Sequence, residues 1–342
     1  MRAMTVPRHG GLDTLTYLTD FPEPKLKEHE VLIKVEVTGL NHIDIFARVG
    51  YPGIGLSLPH IPGADVTGTV VEVGREVANF KPGQRVVTFP IVSCGKCLLC
   101  REGKPLLCLN WHFFGLHLKG SYAEYVTAPA ENLLLLPDNV SFMDAITIPV
   151  TGLTAMHALT GVGNLKKGET FFIWGGSGGV GTMAIQIAKQ LGTTVIATGG
   201  SDQKLEVMKK LGADYVFNRF KDDIPAEVKK IAPYGVDVVL DYIATQTFPK
   251  SFEMLKKGGR MLLCGMHTGR ETTLSIHMTY LRCLSLLGFY LGTREEMQEL
   301  INWVAQGKIK PYIGEVLDLK EAALAHHKME TGNLIGKIAL KV

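Results

Sequence analysis

The sequence predicts an α/β protein in two parts, a doubly wound parallel sheet and a β-rich domain that carries a metal-binding lobe. Three observations predict it. After about Pro149, strand-like and helix-like segments alternate at βαβ spacing. A glycine-rich turn, G-x-G-x-x-G, joins the first of those strands to the first helix. Four cysteines, Cys94, Cys97, Cys100 and Cys108, fall in the pattern C-x2-C-x2-C-x7-C.

The first part reads as mostly β. Runs such as 30–37 (EVLIKVEV), 67–73 (TGTVVEV) and 121–127 (SYAEYVT) alternate or are β-branched, and turns such as Lys81-Pro82-Gly83 cut them. The cysteine stretch interrupts this rhythm as a lobe over about 90–112. Four thiolates so close can wrap one Zn²⁺ tetrahedrally, and an all-thiolate shell leaves no open position, so the expected metal is one structural zinc per chain. The two remaining cysteines, Cys264 and Cys283, stand alone in apolar context.

From 170–174 (TFFIW) the beat changes. A helix-period segment covers 182–191, the next strand is 194–198 (TVIAT), and a helix over 202–211 stops at Gly212. Strand-like runs recur at 215–217, 236–240 and 260–264, followed by a helix at 294–306. The ending, 335–342 (IGKIALKV), returns to strand character and reads as rejoining the first domain. The expected domains are 149–290 for the nucleotide and 1–148 with 291–342 for the other.

In the glycine turn, Gly176 is expected to permit the tight bend, Gly178 to let the backbone approach a pyrophosphate, and Gly181 to allow close helix–strand packing. The N–H groups around Gly179 and Val180 then face the phosphates at a helix N-terminus. This is a Rossmann fingerprint. An acidic residue at the end of the second strand would hold an unphosphorylated ribose, yet that position is Gly199. Asp202 lies three residues later, where it starts a helix. Ser201, Lys204 and Arg219 suit a 2′-phosphate, so NADP(H) is the expected cofactor.

The 342 residues are 46 % hydrophobic with 38 glycines, which suits a packed α/β protein, and the formal charge of +3 argues against a nucleic-acid groove. The start has no apolar signal-peptide core, and no uncharged apolar run reaches 18 residues. The expectation is a cytoplasmic protein without a membrane span.

Taken together, Gly39–Asp44 (GLNHID), Pro62–Gly68 (PGADVTG), the cysteine lobe, Ala123-Glu124-Tyr125, the fingerprint, Leu211–Asp214 (LGAD) and Gly336-Lys337 resemble the medium-chain dehydrogenase/reductase superfamily of zinc alcohol dehydrogenases and quinone oxidoreductases over essentially the whole chain. The resemblance implies a GroES-like catalytic domain beside the Rossmann domain. The positions that ligate catalytic zinc in the alcohol dehydrogenases match Asn41, Ala64 and Thr147 here, and the proton-relay hydroxyl matches Ile43. None of these is a good zinc ligand or relay. Asn41-x-x-Asp44 and Tyr51-Pro52-Gly53 instead resemble the quinone oxidoreductase branch, which usually lacks a four-cysteine lobe.

The implied chemistry is hydride transfer, without catalytic zinc, to a small carbonyl or quinone substrate: quinones, α,β-unsaturated ketones or aromatic ketones. The Asn41 amide and the Tyr51 hydroxyl are the expected donors to the substrate oxygen. Tyr51 is also the proton source, Asp44 orients its neighbours, and Thr151 lies beside the nicotinamide. By the same resemblance His42 meets the pyrophosphate, Lys337 the phosphates, and the backbone around Cys264, Met266 and Leu291 the carboxamide end. The apolar run 283–291 resembles a dimer-forming segment, giving a homodimer or homotetramer. Two alternatives stand beside this reading. One is a zinc-dependent alcohol dehydrogenase with unusual ligands drawn from Asp65, His42 or His60; the other is a non-enzymatic NADPH-binding protein. His112 and His117, near the lobe, fit no ligand set.

Overall fold

Alternation in the strand Glu30–Gly39 sends Val31, Ile33 and Val35 into a core while Lys34 stays exposed, which fixes the face of the first sheet. The computed structural model describes residues 1–51 and 53–342. It resolves into two units, Met1–Thr151 with Met297–Gly307 and Pro311–Val342, and Gly152–Glu296 with Lys308–Lys310. The second boundary falls at 296 rather than 290. Glu296, in the first turn of the helix Arg294–Ala305, is held by His157 at 2.8 Å, within the second unit. Lys308–Lys310 stays with that unit because the Gln186 side chain bonds both the carbonyl and the N–H of Lys310, at 3.0 and 2.8 Å.

In the first unit Glu30–Gly39 is the hub of a seven-stranded sheet. It pairs antiparallel with Asp65–Val73, Tyr125–Pro129 and the C-terminal strand Lys337–Lys341. The register Ala339↔Gly39 brings Lys337 beside the end of the hub strand. The strand expected over 121–127 begins only at Tyr125, because the N–H groups of Ser121 and Tyr122 are taken by the carbonyls of Gly63 and Pro62.

The second unit is a six-stranded parallel sheet. Its spatial order is Tyr215–Asn218, Thr194–Gly199, Thr170–Ile173, Val236–Asp241, Leu255–Leu263, Ser285–Gly288. Counted along the chain this is 3-2-1-4-5-6, the dinucleotide-binding order, whose ligand site lies at the carboxyl ends where the order reverses. Phe171, Phe172 and Ile173 are fully buried, as a strand covered on both faces requires. The helical stretch Phe142–Val162 is long and apolar enough to cross a membrane, but most of its apolar part is buried inside the protein, as in a core helix.

Candidate active site

The strand Thr170–Ile173 runs into the helix Gly179–Gln190 through the glycine turn. The left-handed residue of the turn is Gly175, at φ +63°, and not Gly176. Gly176 is needed for packing, since a Cβ there would lie 2.9 Å from Ala197 Cβ and 2.7 Å from Met208 Sδ. Gly181 packs against Gly176, where a Cβ would come within 2.5 Å of its Cα. Gly178 caps the helix, and nothing lies within 3.4 Å of a Cβ built on it. The first-turn N–H groups, from Gly179 and Val180 onward, follow directly, the donor set that a helix N-terminus offers to a phosphate.

The ribose end is electropositive. Ser201 caps the helix Asp202–Lys210, accepting the Lys204 N–H at 3.4 Å. Asp202 is turned to Lys221, at 3.2 Å. A Cβ on Gly199 would lie 3.1 Å from Lys204 Cβ, and one on Gly200 would lie 3.5 Å from an Arg219 guanidinium nitrogen. Burial, and then the charge of Arg219, pull the Lys204 ammonium below its ordinary pKa. Lys204 and Arg219 therefore lie close enough to lower the Lys204 pKa, beside the glycines that end the second strand. At the far side of the sheet, burial and then Asp241 push the Cys264 thiol up to about 12. Met266 follows it, half-buried, and Leu291 is buried with a left-handed backbone at φ +54°.

In the first unit, three segments meet at a buried cluster of charges. Asp65, fully buried, receives the Lys337 ammonium at 2.6 Å and the Asn41 Nδ2 amide at 2.8 Å, both on Oδ2, while its Oδ1 accepts the Val150 N–H at 3.0 Å. Lys337 Nζ also donates to Asn41 Oδ1 at 2.5 Å. Asp44 accepts the N–H groups of Asn41, Gly63 and Ala64 at 2.8, 3.0 and 3.2 Å. Burial raises the Asp44 carboxyl to about 7 against the pull of these donors, and burial also raises Asp65 against the pull of Lys337.

This geometry revises two expectations. Lys337 is 2 % exposed and its ammonium is committed to Asp65 and Asn41, so it is not turned to a phosphate. The Asn41 amide is 4 % exposed, with its protons directed at Asp65 and, at 3.4 Å, the Gly39 carbonyl, so it has no proton left for a substrate oxygen. Asp44 forms a capping box with Asn41 at the helix His42–Val49. His42 opens that helix, exposed. Tyr51 follows it, half-buried, its ring edge-on to Phe46 at 5.4 Å. Pro52, the next residue of that motif, lies outside the described residues. Thr151 sits in the π-helical turn Ile148–Gly152 and donates to the Thr147 carbonyl at 2.9 Å.

A catalytic zinc does not fit here. Asn41 is spent, Ala64 has no ligand atom, Thr147 donates to the Asp144 carbonyl at 2.9 Å, and an ammonium already covers Asp65. His60 bonds the Gly115 carbonyl at 3.0 Å, and His112 and His117 pack ring to ring. Among the described residues, the cysteines form the only group with metal-binding geometry. Their sulfurs lie within 4.8 Å of one another, close to the ~3.8 Å edge of a tetrahedron with 2.3 Å Zn–S bonds. The N–H groups of Cys94 and Asn110 point at Cys108 Sγ, at 3.2 and 3.4 Å, and those of Leu109 and Cys100 draw the Cys97 thiol down to about 6. The lobe fits one zinc.

Sequence reasoning missed the pairing of Lys337 with Asp65 and Asn41. The only local signal was a buried-strand pattern holding a lysine.

Two family models match the chain, "Alcohol dehydrogenase GroES-like domain" over residues 27–138 and "Zinc-binding dehydrogenase" over 179–306. An alcohol dehydrogenase of Geobacillus stearothermophilus is 35 % identical over 327 residues, 95 % of each chain. A quinone oxidoreductase of Sus scrofa is 31 % identical over 331 residues, 95 % of this chain and 93 % of its own. A crystal structure of an NAD-dependent alcohol dehydrogenase superposes with a TM-score of 0.95 at 37 % identity, covering all of both chains. With the sheet orders, the glycine turn and the cysteine lobe, these similarities establish that the chain belongs to the medium-chain dehydrogenase/reductase family and is an oxidoreductase.

Proposed function

We propose that this enzyme is an NADP(H)-dependent reductase that carries one structural zinc, uses no zinc in its chemistry, and passes hydride to quinones, α,β-unsaturated ketones or aromatic ketones. The observation that supports the reading is that, of the positions the resemblance matches to zinc ligands, Ala64 has no ligand atom, Thr147 bonds the Asp144 carbonyl, and Asn41 is engaged by Lys337 and Asp65. Lys204, Arg219 and the absence of a carboxylate at Gly199 support NADP(H) over NAD(H).

When bound, the reduced nicotinamide supplies a hydride to an electrophilic carbon of the substrate. Without a Lewis acid, substrates that delocalise the arriving charge are favoured. In an enone the hydride goes to the β-carbon and the electron pair moves to the carbonyl oxygen. The Tyr51 hydroxyl is the remaining candidate to give that oxygen its proton, since the Asn41 amide is committed. In the second unit, the backbone near Cys264, Met266 and Leu291 is the proposed contact to the nicotinamide; in the first unit, Thr151 and His42 are the residues the resemblance assigns to the cofactor.

A homodimer is part of the proposal. Among the described residues, the strand Ser285–Gly288 pairs on one side only, and the preceding helix Ile276–Leu281 exposes Ile276, Tyr280 and Leu281.

The test is a metal count together with turnover. One zinc per chain and NADPH-driven reduction of para-benzoquinone or benzalacetone are expected. Two zinc ions per chain, with loss of turnover when the second is removed, would instead support a zinc-dependent alcohol dehydrogenase. Tight NADPH binding without reduction of any such substrate would point to a non-enzymatic role.

A further inference from the structure

We infer that Lys337 is a positioning residue, the internal cation that holds together the two backbone turns on which the chemistry depends. The inference rests on the metal-free reading above and goes beyond it. Lys337 Nζ bonds Asn41 Oδ1 and pairs with Asp65 Oδ2, while Asn41 Nδ2 closes the triangle on the same carboxylate oxygen. The carboxamide therefore has one orientation, because flipping it would set its NH2 against the ammonium and its oxygen against the carboxylate.

The cluster reaches two turns. The Asn41 end is the cap of the helix His42–Val49, which leads on to Tyr51. The other end is Asp65 Oδ1, which accepts the Val150 N–H and so fixes the π-helical turn that carries Thr151. Lys337 itself arrives on the C-terminal strand, whose register against Glu30–Gly39 is set by the sheet. A Cβ on Gly39 would come within 2.5 Å of Lys337 Cε and 2.6 Å of Asp65 Oδ2, so the hub strand needs glycine there to let the pair form.

A bound metal would draw ligands together from separate segments with its charge. Here a lysine does this from inside the fold. If the ammonium is removed, Asp65 is left as a buried charge without its ion-pair partner, and the Val150 and Asn41 bonds lose their anchor. Misplacement of reacting groups by about 1 Å is enough to cost on the order of 10²-fold in rate.

The experiment compares wild type with K337M and K337R, using NADPH and para-benzoquinone. Three quantities are read: the NADPH Kd from nicotinamide fluorescence, kcat against KM, and the isotope effect with NADPH deuterated at the transferred position. For K337M, kcat is expected to fall about tenfold or more with the NADPH Kd within about threefold of wild type, and the isotope effect is expected to rise. K337R, which keeps the charge, should recover part of kcat.

A K337M enzyme with wild-type kcat and isotope effect overturns the inference. So does a variant whose NADPH Kd rises about tenfold or more with an unchanged isotope effect, the signature of a phosphate ligand. If K337M does not fold, the neutral pair D65N/K337M removes the orphaned charge and takes its place. A wild-type kcat in that double variant would equally sink the proposal.

Because each effect is a ratio to wild type, the comparison can be run on any substrate the enzyme accepts. Failure of wild type to reduce para-benzoquinone counts against the proposed substrate class and leaves this test standing.

Discussion

Lys204 and Arg219 lie against Gly199 and Gly200, where the second strand of the parallel sheet ends. A carboxylate at Gly199 would select an unphosphorylated ribose; two cations favour a phosphate. A charge-assisted hydrogen bond contributes roughly 1.5–3 kcal/mol. Removing either cation (K204A or R219A) should therefore lower kcat/KM with NADPH about 10- to 100-fold while leaving NADH turnover nearly unchanged. Steady-state kinetics with both cofactors checks this, and equal losses with NADPH and NADH would contradict it. These residues were legible because they lie within a short stretch after a recognisable turn. Lys337 was not. Its partner Asn41 is 296 positions away, and only the pairing of the C-terminal strand with Glu30–Gly39 brings them together. A local reading could see a glycine–lysine pair in a terminal strand and assign it to phosphate. The fold spends that lysine on Asp65.

Among the elements, the cysteine lobe and the parallel sheet were read from spacing alone, because each is specified locally. Metal ligands need close spacing, and a buried parallel strand needs a short apolar run. The boundaries that moved did so where non-local bonds decide. The strand expected from Ser121 starts at Tyr125 because the Gly63 and Pro62 carbonyls capture the earlier N–H groups, and the bend assigned to Gly176 is made by Gly175. The lobe has only short helices of its own, Leu98–Arg101 and Pro105–Leu107, and no buried apolar residue in either. With so little apolar core, the lobe is expected to depend on a bound metal for order. Chelation should accordingly lower the melting temperature or shift the assembly state first, with turnover failing only as the fold does. Following activity and thermal unfolding in parallel after adding a strong chelator tests this. Rapid loss of turnover in a protein whose melting curve is unchanged would place the zinc in the chemistry instead.

For the molecule as a whole, two buried groups in the first unit make stability depend on pH in opposite senses. His326, on the helix Ala322–Glu330, is fully buried between Arg48 and Tyr122. Arg48 Nε donates to its Nδ1 at 3.4 Å, so Nδ1 carries the lone pair and Nε2–H faces the Tyr122 hydroxyl at 3.3 Å. Protonating Nδ1 would set an N–H against a guanidinium. Burial, and then the charge of Arg48, lower this histidine to about 3. The unfolded chain takes up a proton near pH 6.5 that the folded chain refuses, so this contribution is fully present above that pH and is lost as pH falls toward 3. Asp44 acts the other way. Its folded carboxyl is raised to about 7, so between the unfolded value near 3.9 and about 7 the folded state holds a proton that the unfolded state has released. Its contribution is present at low pH and is lost as pH rises through 7. The two windows overlap between about pH 4 and 6.5, where the opposing slopes offset each other. Replacing His326 with glutamine, which keeps a polar side chain but cannot titrate, removes one slope and leaves the other. Relative to wild type, H326Q should therefore gain stability as the pH drops from about 6.5, by up to about 1.4 kcal/mol per pH unit. Denaturant unfolding of both proteins at pH 7 and pH 5 measures the difference. If the two proteins lose or gain stability in parallel between those values, the buried imidazole is not the group that sets the acid limb.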